Sequence, residues 1–135
     1  MRNPLILLAP LLLAGCVDGS ASYAIDGNDQ ALTLRAEQDY FWSDQVTLRL
    51  ITSRLPECQR QLLLGKVPVG TLEVQLLGNG ENTYTLRADD RQWQVETQGC
   101  TQVASTAQAA PGQPLGTFHL DDNGQFVFEQ ASAAQ

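Results

Sequence analysis

The sequence predicts an all-β domain, an antiparallel meander closing as a small barrel or sandwich. Three observations carry this. Several segments alternate apolar and polar residues with period two, Gln45 to Thr52 and Thr71 to Leu77 most clearly. Short clusters of Gly, Asn and Asp separate those segments, as hairpin links do. Asn123-Gly124 lies between two apolar alternating runs, which is the strongest short-range hairpin signal. Each alternating segment has one face to bury, so the strands must close on one another.

The chain begins differently. Met1-Arg2 is followed by an apolar run, Pro4 to Leu13, and then by Ala14-Gly15-Cys16. A basic start, an apolar middle and small residues at the end describe a secretory signal, here expected as a helix over residues 1–15. The run is too short to span a bilayer, which takes about 20 apolar residues. Leu13-Ala14-Gly15-Cys16 resembles the lipobox of bacterial lipoproteins: a branched apolar residue, two small ones, then cysteine. The resemblance covers the first 16 residues only. It implies a diacylglycerol on the Cys16 thiol, cleavage before Cys16, and acylation of the new amine. Two or more acyl chains attach a protein stably where one is marginal, at about 0.8 kcal/mol per buried methylene. It also implies a place. In enteric lipoproteins Asp directly after the cysteine favours the inner membrane; here Val17 holds that position and Asp18 comes next. The expectation is the periplasmic face of the outer membrane.

Cleavage before Cys16 takes 15 of 135 residues, leaving 120, enough for one core. The domains expected are a signal peptide (1–15), a lipidated tether (16–22), one β domain (23–129) and a flexible tail (130–135). Loss of Arg2 takes the net charge from −7 to −8. A chain this acidic has no electrostatic footprint for nucleic acid. It is also repelled by anionic head groups, so the lipid must hold it at the membrane. Of three cysteines, Cys16 is assigned to lipid. Cys58 and Cys100 remain, an even pair in an oxidising compartment, and a structural disulfide is expected. A redox pair would sit as Cys-x-x-Cys, and a zinc site needs more ligands than two thiols and one histidine.

Taken in order, Asp18 to Ser22 reads as the tether. Ser22 to Ile25 starts a first strand, and the Asp26-Gly27-Asn28-Asp29 turn leads to a second at Ala31 to Arg35. Tyr40-Phe41-Trp42 follows, three aromatics bracketed by Asp39 and Asp44. They either cover core and sheet edge or form an exposed patch for a protein partner, since aromatics are enriched at interface hot spots. Gln45 to Thr52 is the clearest strand, with Val46, Leu48 and Leu50 on one face. Pro56 breaks it. The stretch Pro56 to Leu64 has helical propensity, yet Gly65, Pro68 and Gly70 close it soon after, so it reads as a loop or one helical turn tied down by Cys58.

Thr71 to Leu77, Thr83 to Ala88 and Arg91 to Thr97 read as a three-stranded meander, with Trp93 and Val95 inward. Gln102 to Pro114 reads as a flexible loop. Leu115 to Leu120 and Gln125 to Glu129 form the last hairpin. Seven or eight short strands result.

No catalytic, metal or cofactor signature emerges. His119, the sole histidine, is expected to face solvent beside the hairpin, and no motif supplies it a nucleophile. Asp121-Asp122-Asn123-Gly124 fails as a calcium loop: counted from Asp121, the sixth residue is Phe126 and the twelfth Ser132, where Gly and Glu are needed. Two classes of function remain. One is a non-enzymatic binding, adaptor or inhibitor module on a lipid anchor, with Tyr40, Phe41 and Trp42 as its partner-binding candidates. The other is a periplasmic small-ligand binder or enzyme with a pocket in the β domain. Burial of the aromatics and a deep cavity holding Arg49, His119 or acids would favour the second.

Overall fold

The computed structural model describes residues 17–27, 29–40, 42–80, 82–103 and 112–131. The expected signal-peptide helix, Cys16, Phe41 and residues 132–135 lie outside them. The described residues form ten strands: β1 (Asp18–Asp26), β2 (Gln30–Glu37), β3 (Gln45–Arg54), β4 (Cys58–Pro68), β5 (Glu73–Gly80), β6 (Thr83–Ala88), β7 (Arg91–Glu96), β8 (Thr101–Val103), β9 (Gln113–Leu120) and β10 (Phe126–Gln130). A 3-10 turn, Val69–Thr71, joins β4 to β5.

The strands make two antiparallel sheets, β1-β2-β3-β4 and β10-β9-β5-β6-β7-β8. This is a sandwich, not a closed barrel. The inward faces meet over Leu32, Leu34, Val46, Leu48, Leu50, Val74, Leu76, Leu86, Val95 and Phe118, all fully buried. Alternation dictates this, since successive side chains point to opposite faces. The meander β5-β6-β7 and the β9–β10 hairpin are as expected, and β9 lies against β5 on the side away from β6.

Two seams join the sheets. At one, the β1 backbone approaches β10 closely: a Cβ at Gly19 would lie 3.4 Å from the Phe126 Cβ. At the other, β7 side chains cap carbonyls of β4. The Trp93 indole N–H donates to Leu64 O (3.0 Å) and Arg91 Nη1 to Lys66 O (2.6 Å). Edge carbonyls that would otherwise invite another strand are thus occupied. The Cys58–Cys100 disulfide staples the same seam, with Cα atoms 6.1 Å apart, inside the ordinary range. Cys100 has φ 59°, and the turn that holds it there is braced by the Glu96 carboxylate, which accepts from Gly99 N (2.9 Å) and the Thr101 hydroxyl. Those hydrogen bonds, the hydroxyl first, pull the Glu96 carboxyl below its usual range.

Three expectations are corrected. Residues 18–22 are no tether; they are the first half of β1, paired with β2 from Asp18↔Glu37 onward. The stretch after Pro56 is no loop or helical turn but the eleven-residue β4. A bulge hides it. Leu48 pairs with Gly65 and Arg49 with Leu63, leaving Leu64 extra. The inward positions therefore run Leu62, Leu64, then Val67, and the odd step breaks the period. Gly65, at φ 137°, takes the backbone geometry the bulge needs. Finally, the loop expected over 102–114 opens with strand residues of β8 and closes with those of β9; residues 104–111 lie outside the described set.

Candidate functional site

Register gathers the candidate site at one end of the sandwich. Asp18, Glu37, Thr47 and Lys66 form one row across the first sheet, so the start of β1 and the β2–β3 loop share that end. Val17, the residue after Cys16, packs against the core. Its N–H donates to Gln38 Oε1 (2.9 Å), and its carbonyl accepts from Gln38 N (2.8 Å). The other end of the same amide, Gln38 Nε2, donates to Ser43 O. One side chain thus clamps the β2–β3 loop to the start of the domain.

That loop is built to hold its shape. Ser43 N donates to Tyr40 O (2.9 Å), closing a turn, and Val69 N donates to Asp44 O (2.9 Å). Lys66 Nζ lies 3.8 Å from Asp39 Oδ2. On this frame Tyr40 and Trp42 stack, with ring centroids 4.8 Å apart and planes 8° from parallel. Both are exposed, Tyr40 by 56% and Trp42 by 68%. Two of the three candidate aromatics are therefore brought together at the surface; the third, Phe41, lies outside the described residues. Cys16 does too; Val17, the residue that follows it in the sequence, is the first described one.

A cleft lies elsewhere, in the second sheet. It is an open hollow of about 390 Å³ lined by Thr71, Glu73, Thr117, His119 and Glu129 among others. His119 lies on the outward face, as expected, although neighbours cover part of it and its side chain is 29% exposed. Pairing of β9 with β10 brings Glu129 beside it. His119 Nε2 lies 2.9 Å from Glu129 Oε1, and Nδ1 lies 3.1 Å from Leu120 O. Both partners are acceptors, so both bonds form together only when both ring nitrogens carry protons. The Leu120 carbonyl first, then Glu129 and Glu73, raise the His119 pKa against a smaller opposing effect of burial. Sequence reasoning missed this pairing because Glu129 is ten residues away across a hairpin.

Arg49 lines no such cleft. It sits on the outer face of the first sheet beside Glu37 (2.5 Å), which also pairs with Arg35 (2.9 Å). Asp121 Oδ1 accepts from Asn123 N and Gln125 N, both at 2.9 Å, as a turn-forming aspartate does. Among the described residues no group of three His, Cys, Asp or Glu side chains is arranged to hold a metal. No helix among them is long and apolar enough to cross a membrane. No family model, curated protein or solved structure matches the chain.

Proposed function

We propose that the chain is a lipoprotein of the bacterial envelope, lipidated at Cys16 and held at the periplasmic face of the outer membrane. It acts without catalysis, as a binding, adaptor or inhibitor module for another envelope protein. The observation that carries this reading is Leu13-Ala14-Gly15-Cys16 at the end of a short apolar run, directly before Val17, a half-buried residue that packs against the folded core. A covalent lipid there is attached to the domain itself. The disulfide agrees with an oxidising compartment. High exposure of Tyr40 and Trp42 favours a protein that works through its surface over one that works through a pocket.

The test is metabolic labelling with an alkyne palmitate analogue in a diderm host, followed by membrane separation. Wild type is expected to carry label and to sediment with outer membrane, and a Cys16→Ala variant to do neither. An unlabelled wild type, soluble in the periplasm, overturns the proposal. A second reading, a periplasmic binder of a small ligand, draws on the His119–Glu129 cleft. It predicts that a ligand shifts the His119 resonances while leaving the Trp42 environment unchanged.

A further inference from the structure

We infer that the Tyr40–Trp42 pair is a membrane-interface contact, seating the anchored end of the sandwich in the glycerol and head-group layer of the bilayer that holds Cys16. The inference rests on the lipidation reading above and adds an orientation to it.

From Val17 N, the atom bonded to Cys16 in the sequence, through the Gln38 amide and Ser43 O to Trp42 Cα is at most about 14 Å along ordinary bonds and hydrogen bonds. A diacylglycerol on Cys16 puts that residue at head-group depth. With Val17 hydrogen-bonded to Gln38 at both its N–H and its carbonyl, no slack separates lipid from domain. The pair therefore meets the bilayer at high effective concentration, as an intramolecular event. Tyr and Trp suit that layer, because each has an apolar body and a polar tip. The loop is fixed in advance by Ser43 and by the Asp44 bond to Val69, so presenting the rings costs little further ordering.

Charge defines what kind of contact this is. Asp39 and Asp44 flank the pair, and Asp18 and the Asp121-Asp122 turn lie at the same end. Lys66 faces Asp39 from β4, and Arg35 faces Asp18 from β2. An end with this many carboxylates does not seek anionic lipid. The contact is made with neutral lipid and depends on the covalent anchor.

The experiment uses the full-length protein expressed in a diderm host, purified lipidated in detergent and reconstituted in phosphatidylcholine vesicles. The acyl chains are brominated near their head-group end in one set and near their methyl end in another. Trp42 is 68% exposed and Trp93 is 6% exposed, so Trp93 serves as an internal reference. Shallow bromines are expected to quench wild-type emission more than deep ones, and a Trp42→Phe variant is expected to lose that quenching. Adding anionic lipid is expected to weaken it. If wild type is anchored but Trp42 is unquenched and open to acrylamide, the pair faces water and the inference is overturned in favour of a protein-binding patch. Intact mass separates the two failures. A chain without lipid on Cys16 overturns the anchor and this inference together, whereas a lipidated chain with unquenched Trp42 overturns this inference alone.

Discussion

Replacing Cys58 and Cys100 by alanine in a chain starting at Val17 is expected to cost about 4 kcal/mol. The disulfide closes a loop with a sequence separation of 42. On the chain-entropy account, the loss of that constraint on the unfolded chain, about 13 cal/mol/K, yields the figure at 25 °C. The folded state adds a second signal. Cys100 sits at φ 59°, in the left-handed region where a side chain costs about 1–2 kcal/mol. A Cys58→Ala/Cys100→Gly double variant is therefore expected to be more stable than the Ala/Ala variant by about 1 kcal/mol, after glycine's larger unfolded-state entropy is set against the relief of strain. Urea unfolding followed by fluorescence is the assay. With a slope of about 2 kcal/mol/M, the Ala/Ala midpoint should fall by about 2 M. Its slope should also rise, because the uncrosslinked unfolded chain exposes more surface. A midpoint shift below about 0.5 M would refute the reasoning, as would an Ala/Gly variant less stable than Ala/Ala.

Four further outcomes are expected. Gly116→Ala should destabilise by about 1–3 kcal/mol in thermal or urea unfolding, because its Cβ would collide with the Phe128 ring and come within 2.5 Å of the Glu129 carbonyl oxygen in β10. Trp93→Phe should lose about 1–3 kcal/mol by urea midpoint, since it leaves the buried Leu64 carbonyl without its donor at 3.0 Å and weakens the stacking of Arg91 at 5.2 Å. Thr52→Val should gain about 1–2 kcal/mol in calorimetry, because the fully buried Thr52 hydroxyl has no hydrogen-bond partner among the described residues. His119 should titrate by NMR above the usual histidine value of 6.5, and Glu129→Gln should lower its pKa without restoring that value, since the Leu120 carbonyl remains. A raised folded-state pKa means this contribution to stability is complete below 6.5 and lost as pH rises through the folded-state value, so the gap between wild type and Glu129→Gln should narrow over that span.

Local pattern was enough to reveal the all-β class, the meander from β5 to β7 and the last hairpin. Alternation and turn residues act over a few neighbours, and Leu86, Trp93 and Val95 are buried where period two places them. Pairing of Cys58 with Cys100 followed from counting once the lipobox resemblance had set Cys16 aside. β4 escaped because its bulge at Leu64 resets the period, and a bulge is legible only against the partner strand. The first half of β1 escaped because Asp18 to Ser22 is small and polar: an edge strand paired with β2 needs ladder hydrogen bonds more than apolar side chains.

The candidate site divides in the same way. The amino-acid sequence by itself determined that a lipobox-like stretch ends at Cys16 and that aromatics crowd residues 40–42, two facts more than twenty residues apart with nothing to connect them. Only the tertiary structure decided that Val17, which follows that stretch, is tied to the loop that carries Tyr40 and Trp42: β1 runs antiparallel to β2, so Val17 returns to Gln38 and one amide holds both Val17 and Ser43. It alone also chose a sandwich over a barrel and gave His119 its carboxylate. Contacts of this kind depend on strand order and register, which no local window of the chain contains.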